Sequence, residues 1–267
     1  MNKKTNLNLL FENRSQSIES HGGIKAYFDS NEDVIVDLIL NSNAVIGCCP
    51  WLFNNKILAA LKKLKYGSSI VIDKSEASKY KLKQSKLYGD INPLSFNVNV
   101  LPSDFHLTAL PLDSINQDSV RVFGRDQSGP DKKSLLHYKF LVLCNVNEDK
   151  GVITKILPKT VIGGSFNFSQ NSTDCRESTL IMENEGVAND FFQEWARAYM
   201  LSENIKTYSC ELNPEFLVAN TEEEVINQLR DENLIIEQRE REIKWAEENE
   251  AASFDKEVGR MFNFSQN

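Results

Sequence analysis

The stretch AVIGCCPWLFNNKILAALKKLKYGSSIVID, residues 44–73, decides the fold. AVIGCCP is a short unbroken apolar run, as a strand covered on both faces requires. Ile57, Leu58, Leu61 and Leu64 then recur at helical spacing, and Gly67 ends that segment. SSIVID, residues 68–73, is a second buried strand. Strand, helix and strand in close succession make a βαβ unit with parallel strands.

Upstream, residues 1–23 are polar and end at Gly22-Gly23, which predicts an irregular lead-in or an edge strand. Ser30 or Asn31 caps a helix to about Leu40, with Glu32 and Asp33 in its first turn. Downstream, Lys74 to Leu87 is lysine-rich and expected to be helical. Strands are expected at 119–126, 135–144, 152–156, 160–165 and 178–183, with NVNEDKG after Cys144 as a turn. VANDFFQEWARAYML then forms an amphipathic helix on the sheet. The expected body is an α/β domain, residues 1–210: a mixed, largely parallel sheet with helices on both faces.

Charge separates the body from the tail. The net charge is −8 over the 267 residues. Residues 211–267 hold 6 Lys/Arg against 15 Asp/Glu, and residues 1–210 hold 24 against 23. The acidity therefore belongs to the tail, and the nearly neutral body remains compatible with a polyanionic substrate. The tail is expected to form an acidic helical extension, with Val225, Ile226 and Leu229 on a thin apolar stripe. That is either a surface helix or a segment for assembly with a protein partner.

The five cysteines are odd in number and form no paired CxxC units, so a zinc site or disulfide framework is not expected. No apolar run is long enough to span a bilayer, and the N-terminus has no signal-peptide core. The expectation is a cytoplasmic protein that uses no cofactor and does not engage membranes.

Of three histidines, His21 and His106 stand in turn-like sequence. His137 stands two residues before Lys139 on an expected strand, so both side chains share a face. GGSFNFS follows an apolar run at 163–169. Gly163 and Gly164 permit a tight bend, Ser165 and Asn167 face one side, and Phe166 and Phe168 anchor the other. A helix starting near here would add an anion seat. Glu177, before the strand STLIME, is placed to accept from one imidazole nitrogen and leave the other free to attack.

His137-x-Lys139, GGSFNFS and Glu177 together resemble the HKD motif of the phospholipase D superfamily, most closely its single-motif bacterial nucleases. Residues 44–73 are similar to that family's opening strand, helix and strand. The resemblance covers roughly residues 30–200 and implies a metal-independent phosphodiesterase. One histidine attacks phosphorus, and a second, from another motif, protonates the leaving alkoxide and then activates water. It implies catalytic roles for His137, Lys139, Asn167 and Glu177, with Gly164, Ser165 and Ser169 holding substrate. This chain has one HxK, so the missing half implies a homodimer with both copies of His137 at the axis. The family's aspartate, separated from the lysine by four residues, is replaced here by Cys144. By strand alternation position 144 faces away from position 137, so the aspartate is read as structural.

FNFSQN recurs at Phe262 to Asn267, but Arg260 and Met261 replace the residues matching Gly164 and Ser165, and no histidine or lysine precedes it at the matching distance. It is not a second half-site. From Lys56 to Lys86 nine lysines stand against Asp73 and Glu76, either a solvated face or a track for a nucleic-acid backbone. The expected activity is cleavage of DNA, with RNA not set aside, in a setting such as a defence or restriction complex. A lipid phosphodiesterase and an inactive nucleic-acid-binding or assembly module remain the alternatives.

Overall fold

A computed structural model of the chain describes residues 17–28, 31–82, 86–96, 100–101, 117–124 and 136–208. The acidic tail and its FNFSQN, His106 and Cys210 lie outside the described residues.

The βαβ unit forms as its pattern requires. β3 (Ala44–Cys49) and β4 (Ser68–Asp73) are buried at every residue and pair in parallel. Between them runs α2 (Asn55–Leu61), which buries Ile57, Leu58 and Leu61. Its start is fixed by Asn54, whose side chain accepts from the amides of Lys56 and Ile57 at 3.0 Å each. Upstream, β1 (Ser17–His21) and β2 (Ile24–Tyr27) form an antiparallel edge pair, and α1 (Asn31–Leu40) occupies the expected helix.

Downstream follow α3 (Lys74–Lys79), β5 (Val120–Phe123), β6 (Phe140–Asp149) and β7 (Val152–Gly164). A 3₁₀ turn (Gln170–Asp174), β8 (Thr179–Met182), α4 (Glu185–Met200) and the short β9 (Glu203–Asn204) complete the order. One sheet holds all nine strands in the order β1-β2-β8-β7-β6-β3-β4-β5-β9. The sheet is mixed, as expected. Its parallel part is confined to β3-β4-β5, however, and is not the larger share. β6 and β7 are joined by a tight turn at Lys150-Gly151, which forces antiparallel pairing, and β8 returns antiparallel to β7.

Helices cover both faces. On one, Ile35, Ile39, Ile57 and Leu61 of α1 and α2 pack against Val45, Ile70, Leu141 and Ile162. On the other, Ala188, Trp195 and Tyr199 of α4 pack against Ile46, Val71, Val142 and Val161. Trp195 is fully buried and lies 5.1–5.9 Å, centroid to centroid, from the rings of Phe96, Phe192 and Tyr199. Among the described residues no helix is long and apolar enough to cross a membrane.

Three boundaries differ from expectation. The helix after β4 stops at Lys79 because Lys81 takes a positive φ of 52°. The expected turn at 145–151 is mostly strand, since β6 continues to Asp149 paired with β7. The expected strands 152–156 and 160–165 are one strand, because a register shift between Leu143 and Cys144 accommodates Pro158.

Candidate active site

The site sits where the sheet ends. Cys48, Phe140, Gly163 and Leu180 form one row across β3, β6, β7 and β8. Within one residue of that row β3 and β7 finish, while β6 and β8 begin there. Trp51 and Phe53, His137 and Lys139, Ser165 and Asn167, and Glu177 therefore all emerge at one end of the sheet. Antiparallel neighbours thus bring segments distant in sequence to one edge.

His137 and Lys139 precede β6 and are not part of it, contrary to the expected strand at 135–144. Alternation still holds. Tyr138 points the other way and donates to Glu194 Oε1 of α4 at 2.8 Å. Lys139 Nζ lies 3.2 Å from His137 Nε2, 3.4 Å from Nδ1 and 3.2 Å from the His137 carbonyl oxygen. His137 is exposed and Lys139 half-buried. Burial holds the Lys139 ammonium below the ordinary lysine range, against the pull of the Glu177 carboxylate. The Trp51 ring stands edge-on to the imidazole, with centroids 6.4 Å apart.

Sequence reasoning missed the anchor of this segment. The Leu136 amide donates to Asp73 Oδ2 at 2.8 Å, across 63 positions of chain. Asp73 is 1% exposed and its Oδ1 accepts from the amides and hydroxyl at the start of α3. Burial raises its carboxyl above the usual range, and these hydrogen bonds oppose that rise. Asp73 thus ties the residue before His137 to the end of β4.

The glycine segment behaves as its alternation predicts. Phe166 and Phe168 are 3% and 1% exposed, while Ser165, Asn167 and Ser169 face outward. Gly164 has φ 139°, and a Cβ there would meet the Ser178 carbonyl oxygen at 2.2 Å, so only glycine fits. The Phe168 carbonyl accepts from the amides of Phe53 and Asn54 at 2.8 and 3.0 Å, which locks this loop to the one after β3. The structured segment that follows is a five-residue 3₁₀ turn, not a helix, so the expected anion seat at a helix start does not form.

Glu177 is near, but its partner differs from expectation. Its Oε2 accepts from Ser165 Oγ at 2.5 Å, and no bond to His137 forms. Ser165 Oγ in turn accepts from the Ser178 amide at 2.9 Å, and Asn31 Nδ2 donates to the Glu177 carbonyl at 3.3 Å. Ser165 is therefore first a clamp on Glu177. Asn167 Oδ1 is buried without a hydrogen-bond partner, in the wall of a cleft of about 420 Å³ that Trp51, Ser169 and Glu177 also line. The open group is an acceptor, so it would take a hydrogen-bond donor from a ligand and not a phosphate oxygen.

Cys144 lies as expected, outside this site. It is 1% exposed, within the core under α4, on the opposite face of the sheet from Leu141 and Leu143. The lysine-dense stretch is less free than its composition suggests. Lys74 is fully buried against Glu203, and Lys56, Lys62 and Lys79 pair with Glu32, Asp90 and Glu76.

No family model matches the chain. Over 220 residues it is 26% identical to an uncharacterized protein of Acanthamoeba polyphaga mimivirus, covering 76% of this chain and 74% of that protein. Among solved structures it is similar to Nuc, a phospholipase D family member from Salmonella typhimurium. The TM-score is 0.42 at 14% identity, over 67% of this chain and 95% of that one. It is also similar to NucT from Helicobacter pylori, with TM-score 0.38 and 16% identity over 63% and 88% of the two chains. TrmBL2, an archaeal chromatin protein, gives TM-score 0.35 and 10% identity over 74% and 59%.

Proposed function

We propose that this chain is a phosphodiesterase that cleaves nucleic acid, DNA foremost, through a covalent intermediate on His137. The observation that carries the reading is the contact between the Lys139 ammonium and the His137 imidazole, 3.2 Å apart beside a cleft that Asn167 lines. A cation and amides hold a phosphate diester, and an exposed imidazole nitrogen can reach its phosphorus. The position of Cys144 on the far face supports retained activity despite the missing motif aspartate.

In the first step a His137 nitrogen lone pair attacks phosphorus, and the bond to the leaving oxygen breaks. The leaving alkoxide takes a proton from His137 of the partner subunit in a two-fold dimer. That second imidazole, now neutral, takes a proton from water. The resulting hydroxide attacks phosphorus, the P–N bond breaks, and both histidines regain their starting states. Lys139 and Asn167 hold the non-bridging oxygens throughout, and Glu177, held by Ser165, offsets the local positive charge. The reaction needs one histidine neutral and the other protonated, which predicts a bell-shaped pH–rate profile. No step calls on a metal ion. The acidic tail fits a segment that recruits a protein partner.

The test is incubation of wild type and His137→Ala with single- and double-stranded DNA, RNA and phospholipid vesicles, all in EDTA. Cleavage of nucleic acid by wild type only is expected. Hydrolysis of vesicles alone would replace this reading with the lipid one, and inactivity on every substrate would favour the binding module.

A further inference from the structure

We infer that the cleft beside His137 is a base-binding subsite, which takes the unpaired nucleobase next to the scissile phosphate. The substrate would then be single-stranded or frayed where it is cut. The inference rests on the phosphodiesterase reading for where the phosphate lies, but its own support is the chemistry of the cleft walls.

One wall is aromatic. Trp51 and Phe53 follow β3, and Tyr80 follows α3, so separate segments converge on one cleft. Tyr80 is 52% exposed, an apolar ring left in water at the rim of a site. Its orientation is held by Phe53, whose ring lies edge-on at 4.9 Å between centroids and 62° between planes. A site that only gripped phosphate would need cations and amides, not three rings. The facing wall is polar: Asn167, Ser169, Gln170 and Asn171 line it. A nucleobase matches both walls, because it has a π-face for stacking and an edge of donors and acceptors. An acyl chain would leave the amides unmatched.

Size agrees. At about 420 Å³ the cleft lies at the small end of ligand sites, which run from about 300 to 1,000 Å³, and suits one nucleoside, not a duplex. Lys79 lines the same cleft, its ammonium 5.0 Å from the Tyr80 ring centroid and 3.3 Å from Glu76 Oε2. A base held in a duplex reaches such a cleft only by leaving the stack.

The test uses full-length His137→Ala, which binds without turnover, and two fluorescein-labelled ten-nucleotide strands of equal charge. One is oligothymidylate and the other is abasic throughout. Anisotropy titration should show the base-bearing strand bound about ten-fold tighter or more. Tyr80→Ala should remove most of that difference, and Tyr80→Phe should keep it. Equal binding of the two strands by the parent overturns the subsite and needs no further variant; so does a difference that survives Tyr80→Ala. Cleavage by wild type is measured alongside. Base-dependent binding without cleavage sinks the phosphodiesterase reading and leaves the subsite. Cleavage with base-blind binding sinks the subsite alone.

Discussion

Two polar regions of this sheet carry a lysine beside a carboxylate, and they are built in opposite ways. At the β4–β5–β9 edge, Lys74 and Glu203 pair at 0% and 1% side-chain exposure, and Arg121 donates to the Ser202 hydroxyl at 2.7 Å and its carbonyl at 3.1 Å. Charge there meets charge, and the pair is closed to water. At the other region Lys139 contacts an imidazole, Glu177 is taken by Ser165, and Asn167 is left unmatched in a cleft wall. The first arrangement serves stability or specificity of fold. The second leaves an acceptor open at a cleft wall, which is the arrangement the proposed site uses. A buried pair of opposite charges holds the fold together, while polar groups at a cleft are open to a ligand.

That contrast can be broken at either end. His137→Ala should lower kcat by about 10⁴-fold or more, as loss of a nucleophile does, with the melting temperature unchanged because the side chain is exposed. Steady-state cleavage and calorimetry read both. Glu203→Ala should do the reverse. It leaves Lys74 buried without its carboxylate and should cost about 3–5 kcal/mol in denaturant unfolding, with activity per folded molecule retained. Next in size, Lys139→Met should reduce kcat/KM by about 100-fold with no loss of stability, since the burial that lowers its pKa already disfavours its charge.

Cys144→Ser separates the faces of the sheet. A hydroxyl at this buried site should cost about 1–3 kcal/mol of stability and leave cleavage unchanged. An effect on kcat would place position 144 in the site after all. The smallest effect is in pH. Lys139 loses its proton below the ordinary lysine range, so substrate affinity should start to weaken at a lower alkaline pH than a free lysine would dictate. Lys139→Arg should move that limb upward, which a KM profile would show.

Much of this was legible in the sequence, and the parts that were not share a cause. The apolar runs of β3 and β4 and the helical spacing of α2 announced the βαβ unit. The alternation of Ser165, Phe166, Asn167 and Phe168 announced which side chains face the site. Hydrophobic pattern cannot show a polar strand, so NVNEDKG at 145–151 reads as a turn, although backbone pairing with β7 extends β6 to Asp149. Nor can it place pairs far apart in sequence. The Asp73–Leu136 anchor, the Lys74–Glu203 pair and the contact of Phe53 with Tyr80 depend on how the strands are ordered. His137 and Lys139 stand out by residue type and spacing, while their position past the end of the ladder follows from where β3 stops pairing with β6, at Cys48.

The central claim is a bond between His137 and phosphorus. Wild type should be mixed with a labelled oligonucleotide in EDTA, quenched under alkaline denaturing conditions and mapped by peptide mass spectrometry. The account predicts a phosphoryl-linked nucleotide on the peptide bearing His137, formed and lost at rates consistent with turnover and absent from His137→Ala. Turnover that proceeds undiminished in His137→Ala, with no adduct at position 137, would contradict it.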